Sequence, residues 1–597
     1  MMESFLAYRL PYGSALHEDW ETLKFMHDIG VEVICFSPMN SLSLIGTPYA
    51  DYPMIWRGER DYDFGSLEQQ IQDILARHPQ ARLLPIIDLN SPSWMTHRLG
   101  CDSFSSITEA LAHPEWKSQA LEFMRAFVGY CHDRHSERMF GYIPAAGSTL
   151  EWYEKQIQTP GYLKSVRYPE YCRSHNWSEL PVPSVLRSGS STHDFVRDPE
   201  SEADVIQFQR YNNALVADFV IEVIKELRKI VSKDEKIGLF YGYVQRCVSH
   251  GHTDCERVFD TAPPDFVIGA ACGADRILGG SGGYAAVSKT LERRGIRFLH
   301  EIDRITFTTT LPSKLKGGIW NYWKDAPEVV AGLRREIGMS LINNFCAWYF
   351  NIWGQSFTDP EVREDIARTW KIWKKFSGRS GGCLADLLFV IDTESNDCVN
   401  CAGLPEYHPT QGVLGNELRL NMSRSRFGYD QALFNDLEHL DLGKYRMIVF
   451  QNPTMLNDHR VKVLREKVLT AGRTIVWGTV PGSVFNGKYT GKAYTFEPGD
   501  YTAFLQEDPA ELTGEKLREL AIEAGAHIFA PGCAHWDSRE FLLLNCGTEF
   551  MPGEQEITLR SEAKQVTELY SGKVIPVSER KFKDTFAAPD TKLYWIE

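Results

Sequence analysis

The first 377 residues alternate short apolar runs with longer amphipathic segments, and this alternation constrains the fold more than any other feature. Strand-like runs that alternate with helical patterns indicate βα units and a parallel sheet. Eight such runs can be counted: residues 4–10, 31–37, 81–88, 139–146, 236–244, 265–271, 296–302 and 343–350. Eight units predict a closed (β/α)8 TIM barrel, whose functional residues lie at the face where the strands end.

The rest of the chain follows two other patterns. LADLLFVIDT, KYRMIVFQNP and TIVWGTVP are typical of buried strands and are separated by helical segments, which predicts a smaller open α/β domain. From residue 539 onward, short strands and glycine turns predict a small β domain. We therefore expect three domains, over residues 1–378, 379–536 and 537–597.

The charge balance narrows the classes of partner. The chain has 79 acidic and 64 basic residues and a formal net charge of −15. Nucleic acids and anionic membranes need clustered positive charge on a protein. No apolar run approaches the roughly 20 residues of a membrane span, and the N-terminal residues lack the features of a secretion signal. We expect a cytoplasmic protein that binds neither nucleic acid nor membrane.

The cysteines and the common cofactor motifs do not indicate a bound group. The 13 cysteines lack framework spacing, which is typical of reduced thiols. Cys398 and Cys401 have C-x-x-C spacing, but a structural zinc needs two further ligands, so a reduced pair in a loop is the preferred interpretation. The sequence contains no zinc-helix, phosphate-loop or dinucleotide motif. It therefore predicts no metal and no cofactor.

Two glutamates stand at the ends of predicted barrel strands. Glu301 closes the seventh run and Glu151 follows the fourth, and these strands face each other across an eight-stranded ring. Hydrolysis of a glycosidic bond by the usual route needs two carboxyl groups that flank the bond. Two alternatives stay open: Glu301 as a strand-end charge paired with Arg304, and Glu154 in place of Glu151.

Tryptophans accompany the predicted strand ends. Flat indole faces suit the apolar faces of sugar rings, although core packing explains any single one of them equally well. The candidates for contacts with a sugar substrate are Trp94, Trp152, Trp320, Trp323 and Trp348, together with Arg304.

The segment GYIPAAGSTLEWYE around Glu151 resembles the strand-four motif of clan A retaining glycoside hydrolases related to family 42 β-galactosidases, including the family 164 β-mannosidases. RFLHEIDRIT around Glu301 resembles their strand-seven motif, and AWYFNIWGQSFTDPEV resembles their strand-eight motif. The expected domain order is similar as well: a catalytic barrel, a flavodoxin-like domain and a small β domain. The resemblance therefore covers nearly the whole chain.

The resemblance implies an exo-acting retaining β-glycosidase of the β-galactosidase or β-mannosidase type, which removes a terminal sugar from an oligosaccharide or glycoside by double displacement. It assigns Glu151 as general acid/base and Glu301 as nucleophile, for which Arg304 is the expected neighbouring cation. It also implies a homotrimer through the middle domain and no required metal.

Leu150 departs from the clan pattern, because an asparagine that contacts the sugar 2-hydroxyl commonly precedes the acid/base. The sugar configuration therefore stays open between galacto, manno and gluco. The alternative function is a barrel that binds carbohydrate without cleaving it.

Overall fold

Eight parallel strands form a closed barrel in the computed structural model, which describes residues 2–13, 19–40, 51–157, 159–193, 195–246, 250–270, 277–309, 322–400, 412–506 and 508–597. Each strand pairs with the next along the chain, and the last pairs with the first. The strands are β1 (Leu6–Arg9), β2 (Val33–Phe36), β3 (Arg82–Asp88), β4 (Gly141–Ala145), β5 (Lys236–Leu239), β6 (Phe266–Ala270), β7 (Arg297–Ile302) and β8 (Cys346–Phe350). The predicted barrel and its eight strands are confirmed.

Helices follow these strands and cover the barrel. They are α1 (Trp20–Ile29), α2 (Phe64–Leu75), α3 (Ser93–Leu99), α4 (Ile107–Leu111), α5 (Pro114–His135), α6 (Tyr162–Ser174), α7 (Val185–Ser188), α8 (Ala203–Ile230), α9 (Cys255–Thr261), α10 (Ser288–Arg293), α11 (Ala326–Ile342) and α12 (Pro360–Phe376). Residues 147–204, between β4 and the first turn of α8, contain α6 and α7. The pattern there is hard to recognise because Pro169 lies inside α6.

Alternation along the strands divides the apolar side chains into two layers. On β7, Leu299 belongs to the inside of the barrel, whereas Phe298 packs outward against the helices. We call the inner layer the barrel-interior cluster; its buried members include Ala7, Val33, Leu84, Ile86, Ile143, Leu150, Phe240, Tyr243, Ile268, Leu299, Trp348 and Phe350. Because side chains alternate with a period of two, Arg9 and Glu301 at the strand ends also point inward.

The middle domain is built on a second parallel sheet. Its strands are β9 (Leu387–Ile391), β10 (Tyr429–Leu433), β11 (Met447–Phe450), β12 (Arg473–Trp477) and β13 (Tyr501–Leu505). Their spatial order is β10-β9-β11-β12-β13, which is the flavodoxin-like order. Its helices are α13 (Thr393–Asp397), α14 (Leu418–Arg424, preceded by the π-helical turn Val413–Glu417), α15 (Asp458–Val463, continued by the π-helical turn Leu464–Val468) and α16 (Gly514–Glu523).

The C-terminal part is antiparallel. Its strands are β14 (Ala534–Asp537), β15 (Phe541–Cys546), β16 (Gly553–Thr558), β17 (Gln565–Glu568), β18 (Val574–Pro576), β19 (Lys581–Phe586) and β20 (Asp590–Ile596). Five of them form the sheet β14-β15-β20-β17-β18, and β16 pairs with β19. Short strands elsewhere are Trp56–Gly58, Asp61–Tyr62, Met455–Leu456, Val484–Phe485 and Lys488–Tyr489, and 3-10 turns are Ser136–Arg138, Val244–Arg246, Phe434–Glu438 and Pro509–Glu511.

The segment between β4 and α8 is attached to the middle domain through its backbone. Val196 forms a β-bridge with Val399, and the backbone amide of Arg197 donates to the carbonyl of Cys398 at 2.8 Å. The barrel therefore shares a defined contact with the domain that follows it.

The described residues contain ten cysteines, all of them buried and unbridged. Within the described ranges, no group of three or more His, Cys, Asp or Glu side chains is arranged to hold a metal ion. Cys398 is buried, and Cys401 lies outside the described residues. In the same part of the chain, no helix has the length and apolar character needed to cross a membrane.

Gly141→Ala is expected to destabilise the barrel. A Cβ at this position of β4 would lie 2.0 Å from the backbone carbonyl oxygen of Lys236 on β5, so the strand pair must move apart, at a cost of about 1 to 3 kcal/mol or more. The matched control is Gly129→Ala on α5, where a Cβ meets nothing within 4 Å and helix propensity should add up to about 1 kcal/mol. Urea unfolding measures both, and equal midpoints for the two variants would contradict the prediction.

Candidate active site

Three inward-pointing side chains meet where β1, β7 and β8 end. Arg9 donates a hydrogen bond from Nη1 to Oε2 of Glu301, and Trp348 donates from Nε1 to the same oxygen at 2.9 Å. Arg9 is 2% exposed and Glu301 5%. The register explains the contact, because Glu301 pairs with Trp348 across β7 and β8, and Arg9 pairs with Phe350 across β1 and β8. The result is an ion pair inside the barrel mouth.

Aromatic rings hold the Arg9 guanidinium in place. Its central carbon lies 3.8 Å from the ring centroid of Phe350 and 5.2 Å from that of Phe240. Its Nη2 also donates to the hydroxyl of Tyr12. A guanidinium is weakly hydrated and stacks well on aromatic faces, so this setting reduces the cost of burying it.

The sequence patterns do not single out Arg9. Arg9 lies two residues after Ala7 on β1, so its side chain points to the same face of the strand, the inside of the barrel. This alternation gives the direction of the side chain but not its partner. Its partner Glu301 lies 292 residues away, and nothing in the local sequence connects the two. The expectation that Arg304 supplies the cation beside Glu301 is wrong, because Arg9 does.

Arg304 belongs to a separate buried charge network. Its Nη2 donates to Oε1 of Glu336 on α11 at 2.8 Å, and Arg335 donates to the same oxygen at 2.8 Å. Nε2 of His300 lies 2.6 Å from the other oxygen. Although burial works against it, Arg304 and Arg335 hold the pKa of Glu336 well below its usual range. Arg304 therefore ties the end of β7 to α11.

Glu151 sits in a tight turn after β4 with unusual backbone geometry. Thr149, Leu150 and Trp152 have φ values of 57°, 65° and 57°, the left-handed region that costs non-glycine residues of the order of 1 kcal/mol or more each. The hydroxyl of Thr149 donates to Oε2 of Glu151. Leu150 is buried in the barrel-interior cluster. Such strain persists only where the surroundings determine the conformation.

Asn90, just after β3, fixes the start of this turn. Its Nδ2 donates to the carbonyl of Gly147 at 3.2 Å, and its Oδ1 accepts from the Gly147 amide at 2.9 Å. Gly147 has φ 74°, and a Cβ there would lie 2.9 Å from the carbonyl oxygen of Tyr153. The turn that carries Glu151 is therefore held to the neighbouring strand by a pair of reciprocal hydrogen bonds, which local sequence patterns do not reveal.

The two glutamates influence each other electrostatically. Burial raises the pKa of Glu301 to about 7; Arg9 limits the rise, while Asp303 and Glu151 add to it. Burial also raises the pKa of Glu151, against the hydrogen bond from Thr149 and the charge of Arg246. The structure thus brings the two predicted catalytic glutamates into electrostatic range of one another.

A neutral histidine lies beside the Glu151 turn. The ring of His252 stacks on Tyr153 with centroids 4.7 Å apart, and its Nδ1 accepts a hydrogen bond from the Tyr243 amide at 3.1 Å. Burial lowers the pKa of His252 to about 3. His252 therefore adds no positive charge near Glu151 at neutral pH.

Glu154 has a different environment from Glu151. Its carboxylate is fully buried and accepts hydrogen bonds from the Thr108 amide at 2.7 Å, the Thr108 hydroxyl at 2.6 Å and the Ser106 hydroxyl at 3.1 Å. These bonds tie the segment after β4 to the start of α4. Glu154 therefore has a structural role, and Glu151 is the acidic residue of this segment that interacts with Glu301.

The predicted tryptophans occupy different environments. Trp348 contacts Glu301, as described above. Trp152 and Trp323 are buried in the layer between strands and helices, which gives both a packing role instead of the expected sugar contact. Trp94 is partly buried and donates from Nε1 to the carbonyl of Trp56 at 3.0 Å. Trp320 lies outside the described residues.

The (β/α)8 barrel, the flavodoxin-like sheet and the antiparallel C-terminal part together make a fold that several solved glycosidases share. The chain is similar to the β-galactosidase from Bacillus circulans sp. alkalophilus (TM-score 0.60, 11% identity, 100% of this chain and 99% of that chain). It is also similar to the β-galactosidase from Rahnella sp. R3, with a TM-score of 0.60 and 12% identity over 100% of this chain and 98% of that chain. A third similar structure is the family 42 exo-carrageenase from Bacteroides ovatus, with a TM-score of 0.54 and 10% identity over 100% of this chain and 82% of that chain. The expected resemblance to family 42 enzymes is thus confirmed for the fold.

No protein-family model matches the sequence, and no curated protein matches it either.

Arg9→Met is expected to extend the pH range over which Glu301 destabilises the fold. The pKa of Glu301 lies above its ordinary value of 4.5, so the native state binds more protons than the unfolded state, and stability falls as pH rises from about 4.5 to about 7. Removing the cation raises this pKa further, so the fall continues above pH 7, and at pH 8 the loss should reach about 3 to 5 kcal/mol.

Two pairs of proteins isolate this effect: wild type against Glu301→Gln, and Arg9→Met against the double variant Arg9→Met/Glu301→Gln. Urea unfolding from pH 5 to pH 8.5 gives the difference within each pair. The difference should level off near pH 7 in the first pair and at higher pH in the second. The same end point in both pairs would contradict a role for Arg9 in the ionisation of Glu301.

Proposed function

We propose that the protein is an exo-acting retaining β-glycosidase that hydrolyses a terminal β-linked sugar by double displacement. The observation that carries this proposal is a buried glutamate at the end of β7 that pairs with Arg9 and whose pKa is raised in part by the charge of a second glutamate after β4. The similarity in fold to β-galactosidases supports the same class of reaction.

The hydrogen bonds around the two carboxyl groups support different protonation states. Glu301 accepts from a guanidinium and from an indole N–H on one oxygen, and such donors favour the ionised carboxylate. Glu151 accepts from the Thr149 hydroxyl, and burial raises its pKa. We therefore assign the shared proton to Glu151 and the negative charge to Glu301.

This assignment gives each residue its role. Glu301 attacks the anomeric carbon while Glu151 transfers its proton to the departing glycosidic oxygen, which leaves a covalent glycosyl-enzyme. Glu151, now ionised, then removes a proton from water, which attacks the anomeric carbon and releases the sugar and the Glu301 carboxylate. Arg9 positions Glu301 and stabilises its charge in both the first and the last state.

The terminal sugar is of the galacto or manno type in this proposal. Leu150 supplies no polar group to the sugar 2-hydroxyl, so the recognition of that hydroxyl comes from other residues. Trp94 and Trp320 remain candidates for contacts with the sugar faces, and Trp348 remains one through its position beside Glu301.

The proposed retaining mechanism predicts which anomer of the sugar is released first. The proposed double displacement needs carboxyl groups about 5 Å apart and releases the β-anomer first, whereas inversion needs about 6.5 to 9.5 Å and releases the α-anomer. Proton NMR of the anomeric region within the first minutes of hydrolysis of an aryl β-glycoside distinguishes the two, because mutarotation follows later. Initial appearance of the α-anomer would rule out Glu301 as a nucleophile.

The assembly and location are part of the same proposal. We propose a homotrimer formed through the middle domain, a cytoplasmic location, and a division of the chain at residues 378 and 536. Sedimentation equilibrium of the full chain tests the trimer, and a monomer at micromolar concentration would contradict it.

Glu301→Ala is expected to abolish nitrophenol release from every aryl β-glycoside of a panel with galacto, manno and gluco sugars, because no nucleophile remains. Glu151→Gln should lower kcat/KM by about 10² to 10⁴ for substrates with weakly acidic leaving groups and far less for dinitrophenyl glycosides, which need little protonation.

Glu170→Gln, a change of an exposed glutamate on α6, is the matched control and should keep full activity. Full activity of Glu301→Ala would contradict the mechanism. A wild-type protein that binds sugars and releases no nitrophenol would support the alternative, a non-catalytic carbohydrate-binding barrel.

A further inference from the structure

Two aromatic rings at the mouth of the barrel each lie beneath an exposed cation. The central carbon of Arg246 is 5.4 Å from the ring centroid of Tyr153, and Nζ of Lys155 is 5.3 Å from that of Phe104. Both rings are partly buried and pack against the barrel-interior cluster, whereas both cations are exposed. Tyr153 and Lys155 follow Glu151 within four residues, so this positive charge lies on the Glu151 side of the mouth.

The middle domain holds the backbone around Arg246. Nε2 of Gln451 donates to the backbone carbonyl of Gln245. Gly415 packs so closely that a Cβ there would lie 2.1 Å from the carbonyl oxygen of Arg246. Arg246 therefore has a fixed backbone position.

The positions of Arg246 and Lys155 beside the Glu151 turn determine which part of a bound substrate they would face. In the proposed mechanism Glu151 contacts the glycosidic oxygen, so groups beyond Glu151 face the leaving part of the glycoside. The chain as a whole carries a net charge of −15, so a local group of cations does not reflect its average surface. Guanidinium and ammonium groups are the side chains that bind sulfate and carboxylate oxygens.

We propose that Arg246 and Lys155 form a subsite for an anionic group, a sulfate ester or a carboxylate, on the leaving part of the substrate. The proposal rests on the proposed function in one respect, the role of Glu151 as acid/base. It deepens that function by naming the substrate class as acidic glycosides.

The first experiment compares two aryl β-glycosides of the same sugar, of which one carries a carboxylate on the aromatic ring. The ratio of their kcat/KM values cancels any general effect of a substitution on catalysis. Arg246→Gln and Lys155→Gln should each reduce the ratio of anionic to neutral substrate by about tenfold, the loss of one charge-assisted hydrogen bond. Raising ionic strength from about 0.02 M to about 0.5 M should reduce it in the wild type as well.

Arg465→Gln is the matched control and should leave the ratio unchanged. It removes an exposed arginine from the π-helical turn that continues α15 in the middle domain. An equal ratio in wild type, Arg246→Gln and Lys155→Gln, insensitive to salt, would overturn the subsite. Such a result would leave the glycosidase activity itself intact.

A second experiment does not depend on turnover. The S-aryl analogues of these glycosides resist cleavage. Those with a carboxylate or a sulfate ester on the aromatic ring should raise the Tm of the wild-type protein more than the neutral analogue does, and should lose this advantage with the double variant Arg246→Gln/Lys155→Gln. A response to only one of the two anionic analogues identifies the anion.

Stabilisation by the anionic analogues in a protein that cleaves no glycoside would support the subsite and reject the proposed hydrolysis. Cleavage of neutral glycosides without any preference for an anionic leaving group would reject the subsite alone.

Discussion

The buried ion pair between Arg9 and Glu301 depends on closure of the barrel. Their strands, β1 and β7, are not neighbours; β8 lies between them and supplies Trp348, which donates to Glu301, and Phe350, which stacks on Arg9. Burying two charges costs several kcal/mol per ion. This cost is offset only where the geometry of the pair is good and further hydrogen bonds satisfy the remaining polar atoms. The contact between the two side chains therefore forms only because three strands from the two ends of the barrel chain meet in one register.

The Glu151 turn depends on a different kind of constraint. Left-handed conformations at Thr149, Leu150 and Trp152 are unfavourable by themselves. The Leu150 side chain offsets part of this cost by packing into the barrel-interior cluster, and Asn90 binds both the amide and the carbonyl of Gly147. An apolar anchor thus determines where the carboxyl group points.

The sequence predicts the fold and the two glutamates better than it predicts their surroundings. Period-two and helical patterns are local, so they identify all eight barrel strands, and alternation directs Glu301 inward. The partner of Glu301 is not local: Arg9 reaches it across 292 residues. Proximity in sequence favours Arg304 instead, but this side chain pairs with Glu336 on the following helix. Composition likewise cannot distinguish the indole of Trp348, inside the barrel, from indoles packed beneath the helices.

Burial acts on both glutamates in the same direction, raising the pKa of each, so it does not decide which one holds a proton. The donors do. A guanidinium and an indole direct N–H groups at Glu301, and neither can accept a proton from it in return. The histidine nearest the Glu151 turn, His252, is neutral because its pKa falls to about 3, and Thr149 offers only a hydroxyl. If the two carboxyl groups share one proton, these donors therefore favour Glu151 as the group that holds it.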